Sequence, residues 1–197
     1  KRCGKTSLIK KIKNEIEVRN ENVENSKKTI IIEYNNVKPI LEISKTSNAK
    51  ESAEKLYREI LRNLMNRKEA VIDIQEEHRK ILELSQKDEL EKYDWTAIFK
   101  QTMSTLKNPI IVIMDEFTDV CESVLTKYEG DWRQLELAKK EFDFISELKE
   151  CDVIPIIIGH ENMHSALNEL RLTNSISAKS EPIELNCFSD PSAEGLI

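Results

Sequence analysis

Glycine and aromatic residues are scarce in this sequence: four Gly and 6% Phe, Trp and Tyr among 197 residues, with only five Pro. Charged side chains make up 34% and hydrophobic ones 39%, with Lys, Glu, Leu and Ile dominating. That is the profile of one helix-rich globular domain rather than a repeat or a low-complexity tract. No C-x-x-C pair occurs. Cys3, Cys121, Cys151 and Cys187 are scattered, which predicts free thiols in a reducing, cytoplasmic compartment rather than a disulfide framework. No apolar run approaches the roughly 18 residues that a membrane span requires. Nor is there an excess of positive charge: the formal net charge is −6. Such a surface repels polyanions and, with few aromatics to stack bases, disfavours a nucleic-acid footprint.

What is present is organised around Asn108-Pro109-Ile110-Ile111-Val112-Ile113-Met114-Asp115-Glu116. A continuous apolar, mostly β-branched run reads as a strand buried on both faces of a parallel sheet. Open α/β sheets bind ligands at the carboxyl ends of such strands, where Asp115 and Glu116 fall. The chain opens with Cys3-Gly4-Lys5-Thr6-Ser7, the second half of the phosphate-loop pattern G-x-x-x-x-G-K-[ST]. Its leading glycine would lie two positions before Lys1, so the sequence reads as the interior of a longer protein.

Further along, Leu8, Ile9, Ile12 and Ile16 form one helical stripe, as a helix headed by a phosphate loop requires. Residues 20–28 read as a loop, Thr29–Tyr34 as a second buried strand and 35–48 as a long connection. Asn48, with Glu51 three residues on, marks a capping box. The helix it opens has an apolar face of Ala53, Leu56, Tyr57, Ile60, Leu61 and Leu64. Residues 67–93, with Val71, Ile74, His78, Ile81, Leu82 and Ser85 in helical register, read as an inserted helix or helical hairpin; a solvated charged face explains them better than a partner site. Asp94 caps the next helix. Residues 117–130 are predicted as a loop, Trp132–Leu148 as a helix, Val153–Ile158 as a third buried strand, 161–171 as a helix and Ile183–Leu185 as a short last strand. Strands alternating with helices imply a parallel sheet in a three-layer α/β/α arrangement.

Taken in order, these segments resemble the STAND-type and archaeal-ATPase branch of the AAA+-like P-loop NTPases. Asp115-Glu116-Phe117-Thr118 resembles the second acidic (Walker B) motif of that group. Gly159-His160-Glu161, Glu181-Pro182-Ile183-Glu184-Leu185 and Phe188-Ser189-Asp190 are similar to its later strand-end motifs. The likeness spans nearly all of residues 1–197, and it implies a P-loop NTPase core cut at both ends, its lid beyond Ile197. His160 departs from the glutamine usual there.

The resemblance implies ATP and Mg²⁺ as cofactors. Gly4, Lys5, Thr6 and Ser7 would hold the phosphates, with Thr6 and Asp115 on Mg²⁺. Glu116 would orient or deprotonate water, Lys5 would serve catalysis through the terminal phosphates, and His160 and Asn162 would read the γ-phosphate. Asp119 reads as structural; Arg171 reads as a helix-end cation, with an arginine finger reaching a neighbouring copy as the alternative that the resemblance implies. The implied partners are nucleotide, other domains of the same chain and further copies of itself; ATP and GTP are not told apart. Hydrolysis would work a switch in a regulatory protein of prokaryotic defence or signalling. Two alternatives stand beside it. One is a nucleotide-binding module without turnover. The other is a zinc peptidase, because His160-Glu161-Asn162-Met163-His164 fits H-E-x-x-H. The zinc reading needs both His on one helix and a third protein ligand, and His160 directly follows a strand-ending glycine.

Overall fold

The computed structural model describes residues 4–70, 72–84, 87–128, 135–160 and 162–170. The expected strand at Ile183–Leu185, and Arg171, Glu161 and Trp132, lie outside them. The fold is α/β. Helix α1 (Lys5–Asn20) precedes strand β1 (Ile30–Tyr34). Next come α2 (Lys38–Leu41), α3 (Ala49–Met65), α4 (Glu76–Leu84), α5 (Lys87–Leu90) and α6 (Trp95–Thr105). Strand β2 (Ile110–Met114) leads into α7 (Phe117–Lys127), then α8 (Leu135–Lys140), α9 (Asp143–Glu150), β3 (Val153–Ile157) and α10 (Met163–Glu169).

The three strands pair in parallel in the order β1-β2-β3. Ile30 lies beside Ile110 and Ile110 beside Val153, while Tyr34, Met114 and Ile157 line up at the carboxyl ends. Side chains alternate between faces. Ile30, Ile32, Tyr34, Ile110, Val112, Met114 and Val153 are all buried, on one face. They join a core that includes Leu56, Ile60 and Leu64 of α3, Trp95 and Phe99 of α6, and Phe117 and Val124 of α7. The rings of Tyr57 and Phe99 stack 4.5 Å apart within it. Burying each such side chain contributes about 1.5–3 kcal/mol. The opposite face carries Ile31 and Glu33, half-buried, and α1 reaches it through an ion pair from Lys13 to Glu33 at 2.5 Å.

Several helix starts follow the capping chemistry of the sequence. The Asn48 side chain accepts a hydrogen bond from the Glu51 N–H at 2.8 Å, and Asp94 accepts one from Ala97 at 3.2 Å. Both satisfy donors that a helix start leaves free. All six apolar residues expected on α3 are buried.

Five expectations are corrected. Most of the loop expected over 117–130 is helix: α7 begins at once at Phe117 and runs to Lys127, because Phe117, Val120, Cys121 and Val124 recur at helical spacing and are all buried. The helix expected through Leu148 is broken at Glu141 and Phe142; Glu141 is drawn inside by Lys127 at 2.6 Å. The 35–48 connection contains the single turn α2, anchored by fully buried Val37 and Leu41. Residues 67–70 and 72–75 are not helical, and regular register starts only at Glu76. Finally, β3 is not buried throughout: only Val153 is, and Ile154 is 54% exposed. Among the described residues it has a neighbouring strand on one side only. Ile158 donates to Met114 and accepts from Phe117, both toward β2. By alternation Pro155 then points away from β2, so its missing N–H costs no bond to that strand.

Candidate functional site

The parallel strands deliver their carboxyl ends to one rim, and the motif residues gather there. Gly4 sits in the left-handed region, φ 72° and ψ 2°, a conformation that a Cβ would penalise. It turns the chain into α1, whose first backbone bond runs from Leu8 to the Gly4 carbonyl at 2.9 Å. The N–H groups of Lys5, Thr6 and Ser7 are therefore outside the helical ladder, at the positive end of the helix dipole. The side chains of Thr6 and Ser7 are exposed.

At the end of β2 the Asp115 N–H donates to Tyr34 O at 2.9 Å, extending the ladder by one residue. The Asp115 carboxylate accepts from the Glu116 N–H at 2.8 Å. Glu116 is itself left-handed, φ 58° and ψ 32°. For a non-glycine residue that costs about 1–2 kcal/mol, and such conformations cluster at working sites. The turn lets Phe117 donate to the Ile158 carbonyl at 2.9 Å and start α7 immediately.

Beyond β3, the His160 N–H donates to the Thr118 hydroxyl at 2.7 Å, fixing the loop against α7. The Lys5 ammonium donates to the Gly159 carbonyl at 3.2 Å and lies 3.3 Å from His160 Nδ1. His160 Nε2 meets the Glu116 carboxylate. An ammonium can only donate, so Nδ1 accepts and Nε2 carries the ring hydrogen toward Glu116. Lys5, His160 and Glu116 thus form one chain of contacts. Asp119, one turn into α7, comes within 4.8 Å of Glu116 and His160. Among the described hydrogen bonds none joins Thr6, Ser7 or Asn162 to this chain; Asn162 is exposed at the head of α10.

His160 precedes α10, which starts at Met163, while His164 lies exposed in its first turn. The two imidazoles therefore do not share one helix face, as the H-E-x-x-H geometry requires. Cys121 of α7 is no nucleophile either: burial pushes its thiol up to about 12, so it stays protonated. Sequence reasoning quoted Thr118 and Gly159 within their motifs but did not foresee the contacts they make with His160 and Lys5. Their signal was available, a small hydroxyl two residues after the acid pair and a glycine at a strand end.

Gly159 is held by close approach. A Cβ there would lie 2.7 Å from the Thr118 hydroxyl and 2.9 Å from Met163 Cβ, besides 2.3 Å from the Met163 sulfur. The sulfur can swing away, but Thr118 is buried and bonded to His160. Gly159→Ala is expected to lower stability by about 1–3 kcal/mol, the usual range for overpacking. An unchanged urea midpoint would mean that the loop yields freely.

The fold and this rim define an α/β protein with a polar cluster at the carboxyl ends of parallel strands. Compared with known proteins, the chain matches no family model, no curated protein and no solved structure. Among the described residues no helix is long and apolar enough to cross a membrane.

Proposed function

We propose that this chain is the P-loop NTPase core of a larger regulatory protein, binding ATP with Mg²⁺ and hydrolysing it slowly as a switch. One observation carries the reading. Lys5 and His160, 155 positions apart in sequence, meet at the rim together with Glu116. That rim is where open α/β sheets take their ligands. In this reading the free N–H groups behind Gly4, including those of Thr6 and Ser7, cradle phosphate oxygens, and Lys5 reaches the terminal phosphates. The donors fit a hard cation: the second oxygen of Asp115 and the hydroxyl of Thr6 enter no described hydrogen bond, and both are oxygen ligands of the kind Mg²⁺ prefers. Bound there, Mg²⁺ would neutralise charge on the phosphates. Glu116 accepts the proton of the attacking water or orients it, and His160 and Asn162 lie beside the terminal phosphate. ATP rather than GTP, assembly with further copies and a role in prokaryotic defence or signalling follow the resemblance of the motifs.

The test is Lys5→Ala in the full-length protein. Losing a charge-assisted phosphate contact should weaken ATP binding about tenfold to a hundredfold. Calorimetry returning the wild-type affinity would remove Lys5 from the phosphate site and with it this reading.

A further inference from the structure

The Lys5–His160–Glu116 contacts have a consequence for how such a site would be regulated. The Lys5 ammonium has three N–H donors. One goes to the Gly159 carbonyl and a second to His160 Nδ1. One donor remains. A ligand that asks Lys5 for a single contact can be served without disturbing this arrangement. A ligand that asks it to bridge two phosphate groups cannot, and must take a donor from Gly159 or His160. The two are not equally easy to release. The Gly159 carbonyl is partly buried backbone, held between β3 and a loop pinned by Thr118. The imidazole is an exposed side chain that can turn about its own bonds.

We propose that His160 is a latch that couples Lys5 to Glu116 and is released by a triphosphate but not by a diphosphate. The proposal rests on the nucleotide reading above and adds the regulation of that site. When Lys5 bridges the last two phosphates, Nδ1 loses its donor. Among the described contacts the imidazole is then held by Glu116 alone, through Nε2–H, and the ring is free to turn away from Lys5. Thr118 keeps the backbone of His160 in place throughout, so the motion is confined to the ring. His160 is a positioning residue in this scheme. It takes no part in bond making and acts through the two groups it holds.

The scheme separates triphosphate from diphosphate, and the experiment uses that. Calorimetry on the full-length protein, with Mg·ATP and Mg·ADP, compares wild type with His160→Ala. Removing the competing imidazole should tighten Mg·ATP binding about fivefold, one hydrogen bond's worth, and leave Mg·ADP within about twofold. In Lys5→Ala the same His160→Ala change should have no effect on either nucleotide. Imidazole ¹⁵N spectra of the wild type, assigned with His160→Ala, give a second readout that bulk stability does not move. Mg·ATP should shift His160 Nδ1 to the value of an unbonded acceptor, and Mg·ADP should leave it in place. Equal effects on both nucleotides, or weaker Mg·ATP binding in His160→Ala, would overturn the latch while leaving nucleotide binding intact. No heat with either nucleotide in the wild type would instead sink the nucleotide reading itself.

Discussion

Lys127→Met should destabilise the protein by about 3–5 kcal/mol, the usual cost of removing one partner from a buried ion pair. The Lys127 side chain is 8% exposed and that of Glu141 0%. The ammonium donates to Glu141 at 2.6 Å and to the Ser47 carbonyl at 2.6 Å. The Tyr128 hydroxyl donates to the same Glu141 oxygen at 2.8 Å, and burial raises its pKa above that of an ordinary tyrosine. Glu141 Oε2 is buried and has no partner among the described residues, so this carboxylate is already short of contacts. With Met in place of Lys it would keep only the tyrosine. Because a domain's whole stability is about 5–15 kcal/mol, the urea midpoint should fall steeply. The double variant Lys127→Met, Glu141→Leu should recover much of the loss, since apolar residues of similar volume often replace such pairs without penalty. A single variant as stable as wild type would mean that Glu141 finds compensation elsewhere.

That pair also marks how far the sequence could be read. Lys127 and Glu141 look like two charges on two helices, and nothing in their spacing says that they face inward. Their burial is a tertiary choice, and it also breaks the expected long helix at Glu141 and Phe142. Local signals did better. Asn48 and Asp94 head helices because their side chains satisfy free N–H groups within three residues, which needs no knowledge of the rest of the chain. The strand at Ile110–Met114 was legible for the same reason: five apolar residues in a row leave few alternatives.

The loop expected after Glu116 failed in the other direction. Phe117, Val120, Cys121 and Val124 spell a helical stripe, but a strand that runs straight into a helix needs a sharp turn, and no glycine announces one. Glu116 supplies it with a left-handed backbone. The rim cluster was legible as motifs, in Lys5, Asp115, Glu116 and His160. That Lys5 would touch Gly159 and His160 was not, because it depends on how α1 crosses the sheet. The exposure of Ile154 likewise follows from its place in β3, which has a described neighbouring strand on one side only, since the residue type alone argues for burial.

On the proposed nucleotide reading, Glu116→Gln should lower ATP turnover by about 10²–10⁴-fold, the range for losing a general base, while ATP affinity stays within about threefold. The substitution isolates the charge. Glutamine has the same length, and its amide oxygen can still accept from His160 Nε2–H, the contact that orients the imidazole. Gln is no worse than Glu at the left-handed backbone of this position, so the turn into α7 should survive. What is lost is the ability to take a proton from water. Phosphate release at saturating Mg·ATP, set beside calorimetric affinity, separates three cases. Slow turnover with intact binding assigns water activation to Glu116 and leaves the variant loaded with ATP. Turnover at the wild-type rate moves that role to another group, and Asp119, which lies within reach of the same cluster, is the next candidate. Binding without turnover in wild type and variant alike makes the rim a nucleotide-holding module, and Glu116 then serves to position His160.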